Sequence, residues 1–342
     1  MNRNLLLLLT SFLIVAMVIS SCGPSALTIK GDGESKDPVM GDWHGYQVTD
    51  KGTVVPMAVQ AIALGADKYS FVVHRYFDTR DDQEKTSYEA QFANGRFTVA
   101  GQPGWQMKLI DGNLSGSTSM SEAQTFLLRH VVRLSPTLGA KPNSHAVVLF
   151  DGTNLNGWER RDALGKGTAV GWKVMDGVME VAPGSGDIVT KQKFSDFQLH
   201  LEFRLPFMPE ARGQARANSG VYLQGRYEVQ VLDSYGLQGV DNECGGIYKV
   251  AAPRVNMCAP PGQWQTYDVT FRAPRFDKDG KKSKDAIATV SHNGVVIHSD
   301  LVLPGPTGGA LDNDVHLPGG LLLQDHGNLV QYRNIWLVEL KD

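Results

Sequence analysis

From Gly41 to the C-terminus the chain is a succession of short alternating apolar and polar runs punctuated by Gly, Asn and Asp, and helical spacing is almost absent. That pattern confines the fold to the all-β class. Asp176-Gly177 sits at the centre of Trp172 to Val181, and Asn293-Gly294 at the centre of Ala286 to His298. Both dipeptides favour two-residue turns whose twist matches paired strands. Phe197 to Arg204 alternates with Phe197, Leu199, Leu201 and Phe203 on one face. The strands over 145–342 suit a two-sheet jelly-roll sandwich. Upstream, Tyr69 to Val73, Arg96 to Val99, Gln106 to Ile110 and Phe126 to Leu134 predict a small all-β domain over 41–135 that carries no catalytic constellation. Pro136, Gly139 and Pro142 mark a linker over 136–144.

The 342 residues fit two such domains. A net charge of -3 offers little attraction for nucleic acid, which is not an expected partner. At the N-terminus, Met1-Asn-Arg-Asn and the apolar stretch Leu5 to Ile19 read as an export signal over 1–21, shorter than a membrane-spanning helix requires. Ile19-Ser20-Ser21-Cys22 resembles the bacterial lipoprotein processing box, in which the cysteine becomes a lipidated N-terminus. Residues 22–40 are rich in breakers and charge and read as a flexible tether. The expectation is a protein exported to the bacterial cell envelope and held at the membrane through lipid on Cys22. Cys244 and Cys258 can then form a disulfide, closing a loop of about 15 residues for on the order of 3 kcal/mol, or stay as two buried thiols.

The most informative stretch runs from Arg216 to Asp233 and reads as two strands joined by a Gly225-Arg226 turn. Alternation over Val221 to Gln224 and Tyr227 to Val231 sets Tyr222, Gln224, Glu228 and Gln230 opposite Val221, Leu223, Val229 and Val231. A sheet face of Gln, Glu and Tyr can hold a sugar, although every antiparallel strand with one solvated side shows the same alternation. Asp233 lies at odd spacing from Glu228 and shares its face only if a bulge near Leu232 resets the alternation. Glu228-x-Gln230-x-x-Asp233 is similar to the Glu-x-Asp-x-x-Glu catalytic strand of jelly-roll endoglucanases, but Gln230 replaces the middle acid. That replacement weakens a retaining mechanism, which needs two carboxyl groups about 5 to 5.5 Å apart.

Further landmarks are Leu149-Phe-Asp-Gly-Thr-Asn-Leu-Asn-Gly-Trp158, Trp172 to Gly177, Asn218-Ser-Gly220, Tyr227 to Asp233, Gly246-Ile-Tyr248 and Leu323 to Ile335. In that order they resemble the 3-keto-disaccharide hydrolase domain family, formerly a domain of unknown function, over about residues 145–340. The resemblance implies a concanavalin A-like jelly roll in an exported bacterial protein. It also implies action on glycosides whose sugar is oxidised to a ketone at C3. A C3 ketone acidifies the C2 proton, so a base can remove it, the C1 group can leave by elimination, and water can add back. Dinucleotide motifs are absent, so a separate sugar 3-oxidoreductase would supply the ketone.

Such a reaction needs a base, an enolate stabiliser and a leaving-group acid. Glu228 is the first candidate for base or acid, and Asp233 is a second carboxylate near it in sequence. His326 has the side chain suited to proton transfer near neutrality, and Arg333 can hold an oxyanion or simply pair with an acid. Asn218, Tyr222, Gln224, Gln230, Tyr248 and Gln324 form the expected sugar-binding set, with Lys249 placed to polarise the ketone. Plainer readings stand beside these: Asn-Ser-Gly is an ordinary turn, Lys249 a loop lysine, and sandwich aromatics are mostly core. No cofactor is evident; the histidines are scattered, and Asp277-Lys-Asp-Gly280 has only the opening of a calcium loop. A divalent ion gathered from distant strands stays open as an enolate stabiliser. The alternatives to a 3-keto-glycoside enzyme are a carbohydrate-binding module without turnover and a jelly-roll endoglucanase.

Overall fold

The computed structural model describes residues 37–77, 85–102, 104–118 and 124–341. The export signal, Cys22 and the tether up to residue 36 lie outside the described residues. Two compact units divide between Arg133 and Leu134.

The first unit contains β1 (Gly41–Val48), β2 (Val54–Gly65), β3 (Lys68–His74), β4 (Thr86–Ala93), β5 (Arg96–Val99), β6 (Gln106–Ile110), β7 (Asn113–Ser117) and β8 (Thr125–Val131). Each strand pairs antiparallel with its neighbours in sequence, and β8 returns to β1 to close a barrel. Alternation turns one side of each strand inward, where Tyr69, Phe71, Phe92 and Phe97 form an aromatic cluster. Two inward positions must be glycine. A Cβ on Gly45 would stand 2.1 Å from the Leu127 carbonyl oxygen, and one on Gly116 would stand 1.9 Å from that of Gln106.

The second unit begins with β9 (Val147–Phe150), β10 (Trp158–Arg160), β11 (Lys173–Met175), β12 (Val178–Glu180), β13 (Ile188–Thr190), β14 (Phe197–Arg204), β15 (Ser219–Leu223) and β16 (Tyr227–Val231). It continues with β17 (Trp264–Arg272), β18 (Arg275–Phe276), β19 (Lys282–Lys284), β20 (Ala286–His292), β21 (Val295–Leu303), β22 (Leu322–Leu323) and β23 (Gln331–Glu339). The smaller sheet has the order β10-β13-β22-β15-β16. The larger runs β11-β12-β23-β14-β17-β20-β21, with β9 also paired to β23. Together they make the expected jelly-roll sandwich. Its core lies between the sheets, where the Tyr227 and Phe271 rings stand 5.5 Å apart and the Tyr332 hydroxyl donates to Ser219 Oγ at 2.8 Å.

Both expected Gly-containing hairpins form, with left-handed φ values of 51° and 78° at Asp176 and Gly177, and 50° and 79° at Asn293 and Gly294. The β15–β16 turn is displaced by one residue from the sequence expectation. It centres on Gln224 and Gly225, at φ 52° and 68°, so Gln224 leaves the strand. Residues 135–140, within or beside the expected linker, hydrogen-bond to the larger sheet: Ser135 Oγ lies 2.7 Å from Thr266 Oγ1 and Thr137 Oγ1 donates to Asp268 at 2.6 Å.

Candidate active site on the smaller sheet

The register of β15 against β16 pairs Tyr222 with Glu228 and Gly220 with Gln230. Val221, Leu223, Val229 and Val231 face the core, so the expected alternation holds for Tyr222, Glu228 and Gln230 on the outer face. Hydrogen bonds donated by backbone amides extend this order across the sheet. Gln324 N donates to Gly220 O at 3.0 Å, Asp325 N to Asp187 Oδ1 at 2.9 Å, and Arg161 N to Asp187 O at 2.9 Å. On the far edge Tyr248 N donates to Glu228 O at 3.2 Å and Gln230 N to Gly246 O at 2.9 Å. Two transverse rows result. One contains Leu322, Tyr222, Glu228 and Tyr248; the other contains Arg161, Asp187, Gln324, Gly220, Gln230 and Gly246.

Gly220 explains how Glu228 is placed. A Cβ there would stand 2.4 Å from Glu228 Oε1 and 2.8 Å from Tyr222 Cε2, so the missing side chain leaves the berth that the carboxyl group occupies. Glu228 is 3% exposed. Burial pushes its pKa up to about 7; the hydrogen bond from the Tyr222 hydroxyl pulls the other way, and a smaller repulsion from Asp187 adds to the rise. Burial, followed by the Glu228 charge, holds the Tyr222 phenol well above its ordinary range, so it stays a proton donor. Its hydroxyl donates to Gly308 O at 3.1 Å and accepts from Gln324 Nε2 at 3.2 Å. The Tyr222 proton thus has two acceptors within reach, Gly308 O and the Glu228 carboxyl.

The remaining expected site residues divide clearly. Asn218 joins the site, because its Nδ2 reaches Gln214 Oε1 at 3.2 Å and that oxygen also accepts from Gln230 Nε2 at 3.1 Å. Asn218 Oδ1 and Gln324 Oε1 are buried with no hydrogen-bond partner. Tyr248 flanks Glu228 and carries the Lys249 ammonium 5.3 Å from its ring centroid, with Lys249 exposed at φ 57°. His326 is exposed in the loop after Gln324, outside the two rows.

Three expectations are corrected. Gln224 lies outside the row, because its left-handed turn sends Nε2 to Phe194 O at 2.8 Å. Asp233 is buried in an ion pair, with its Oδ2 accepting from Arg216 Nε at 2.6 Å, and no bulge returns it to the Glu228 face. Arg333 is on the outward face of the other sheet, since Tyr332 before it points into the core. Arg333 Nε donates to Glu202 Oε2 at 2.7 Å and its guanidinium lies 4.1 Å from the Trp264 ring centroid. Cys244 and Cys258 are buried, unjoined thiols; the Cys244 sulfur lies 3.2 Å from the Tyr267 hydroxyl.

Sequence reasoning missed Asp187, Arg161 and Gly220. Asp187 is signalled only by its two-residue spacing from Val189 on β13, and Arg161 by no pattern. Among the described residues, no group of three or more His, Cys, Asp and Glu side chains is arranged to hold a metal ion.

A glycosyl hydrolase, provisionally so named, from Parabacteroides distasonis ATCC 8503 is 42% identical, with 58% of this chain and 84% of that one covered and a TM-score of 0.52. A second protein of the same provisional name and organism is 21% identical over 57% of this chain and 94% of its own, at a TM-score of 0.41. None of the curated proteins compared matches this chain. The profile of the 3-keto-alpha-glucoside-1,2-lyase-like domain matches residues 145–338, more than half of the chain, and the chain belongs to that family.

Proposed function

We propose that the sandwich is a glycoside-acting enzyme that cleaves substrates carrying a ketone at C3 of the sugar, with Glu228 as the base. The observation that carries this reading is a buried carboxyl group with a pKa near 7, seated over Gly220 beside a phenol that remains protonated. A base that takes a carbon-bound proton works best with a pKa close to the operating pH. Glu228 takes the C2 proton, and the C2–H electron pair forms the enolate across C2 and C3. Collapse of the enolate makes the C1–C2 double bond and expels the C1 oxygen, which leaves with a proton. Water then adds its oxygen to C1 and a proton to C2, making the net change a hydrolysis. Tyr222 supplies the hydrogen bond beside the enolate, and the exposed Lys249 and His326 are the cation and proton carrier for the ketone and the leaving group.

Asp187 gives a specific reason to hold a second reading. Its charge raises the Glu228 pKa, so the two groups sense one another as the two acids of an ordinary glycosidase do. One experiment separates the readings: the chain is incubated with a 3-keto-glucoside deuterated at C2, and aglycone release and label loss are followed together. Loss of deuterium to solvent is the elimination outcome. Release with the label retained, or faster release from the unoxidised glucoside, refutes it, and sugar binding without release leaves a carbohydrate-binding module.

The same proposal includes export and lipid anchoring at Cys22, supported by the N-terminal sequence. Replacing Cys22 by Ala should release the chain from membranes, which fractionation of expressing cells would detect.

A further inference from the structure

Residues Thr307–Ala310, in the connection from β21 to β22, cross the outer face of the smaller sheet between the two rings that flank Glu228. A Cβ on Gly308 would stand 3.5 Å from Tyr248 Cε1, and one on Gly309 would stand 2.5 Å from the Tyr222 hydroxyl oxygen. Two successive glycines, the second at φ 79°, allow this approach. The start of the strap is fixed to β16, where Glu228 N donates to Thr307 Oγ1 at 3.0 Å. Its middle is held from the opposite edge of the sheet by one side chain. Arg161 Nη1 donates to Gly309 O at 2.8 Å and Nη2 to Ala310 O at 2.5 Å, while Asp187 Oδ2 braces the same guanidinium at 2.9 Å. Leu311 then packs on Val189, Tyr222 and Leu322.

The geometry points to Arg161 as a positioning residue that fastens the Thr307–Ala310 strap over Tyr222 and Tyr248 and so shelters Glu228 from water. This rests on the reading of Glu228 as the base. Arg161 bonds to strap carbonyls that would otherwise face solvent, and a planar guanidinium can hold two at once. The titratable and charged groups that act on Glu228 or flank it are Tyr222 on β15, Tyr248 beside β16, Asp187 ahead of β13 with Arg161 bonded to it, and Tyr332 on β23 of the other sheet; the strap itself carries none.

The sign of one measurement separates a latch from a simple charge. Removing the Arg161 cation leaves Asp187 unneutralised, which would raise the Glu228 pKa; lifting the strap rehydrates the carboxyl group, which lowers it. The test is carboxyl titration of the full chain by isotope-edited infrared or NMR, with Glu228→Gln to assign the signal, in Arg161→Met, Arg161→Lys and Gly309→Ala. The expected result for Arg161→Met is a proton affinity at least about tenfold weaker than in the parent, with a smaller change for Arg161→Lys. Gly309→Ala, which pushes the strap off Tyr222 without touching a charge, should move the titration in the same direction, and it stands in if Arg161→Met fails to fold. An unchanged or higher Glu228 pKa in the folded variants overturns the proposal. The acid limb of the pH–rate profile should move with the titration. Titration shifts of the expected sign without turnover of any 3-keto-glycoside would leave the latch standing and remove the enzymatic reading.

Discussion

Glu228 and Glu202 are both buried glutamates on outward faces of the same sandwich, and their surroundings drive them in opposite directions. Glu202 is 0% exposed, yet its pKa is depressed to about 2: burial opposes the ionised form, and hydrogen bonds from His200, Asn334, Arg333 and the Gly139 amide outweigh it. Burial would also lower the His200 pKa, but Asp268 and Glu202 raise it to about 9. Glu228 has burial of similar depth, no cation bonded to it and a carboxylate neighbour in Asp187. The difference shows that burial alone does not make a carboxyl group reactive. The number of donors that accompany it decides between an anchor and a base.

The largest test exchanges the two roles. Glu228→Gln should reduce turnover of a 3-keto-glycoside by about 10²–10⁴-fold while raising thermal stability at neutral pH, because it removes a buried group whose ionisation opposes folding, and steady-state rates with a melting curve measure both. Glu202→Gln should do the reverse, costing about 3 kcal/mol of stability because Arg333 and His200 lose a buried counter-charge. Turnover per folded molecule should be retained. If Glu202→Gln removes activity with the fold intact, the contrast between the two faces is wrong.

The pH dependence of stability sharpens the same contrast. The depressed Glu202 pKa contributes stability that is present above its unfolded value of about 4.5 and lost as pH falls toward 2. The raised His200 pKa contributes stability that is complete below about 6.5 and lost as pH rises through 9. Glu228, also raised, favours the fold at acid pH and withdraws that contribution as pH climbs from 4.5 through about 7. Its activity as a base should climb over that same upper range. Chemical denaturation and rate profiles at matched pH would show stability falling where activity grows.

Smaller effects come from the partners. Tyr222→Phe removes a donor but keeps the ring, and about a tenfold to hundredfold fall in turnover is expected, read from kcat/KM. Arg333→Met should cost about 1–3 kcal/mol without a specific effect on the pH–rate profile. A displaced profile for Arg333→Met would return that residue to the site.

Much of the architecture is readable from local pattern, because a two-residue period and Asx-Gly turns act within a few residues of themselves. The Tyr222, Glu228 and Gln230 face follows from alternation alone. What alternation cannot convey is which sheet a strand joins, and this is why Arg333, the third residue of β23, falls on the opposite side of the sandwich. Gln224 is misread because an αL residue before Gly225 is indistinguishable by polarity from one more strand residue. Asp187 and Arg161 come from connections far from β16 in sequence, and only pairing through β22 and β13 brings them into one row. The strap is unreadable for the same reason. Gly308-Gly309 looks like loop filler until the two tyrosines beneath it are known.

The closed barrel of the first unit has a temporal consequence. Its first and last strands, β1 and β8, are partners, with Trp43 opposite His130 and Gly45 opposite Leu128. During synthesis, every intermediate that lacks Thr125–Val131 is therefore an open ribbon with two bare edges, where the finished ring has none. A chain stopped before Thr125 would be expected to pair with copies of itself, so the final seven residues of the ring also act as its stopper against association.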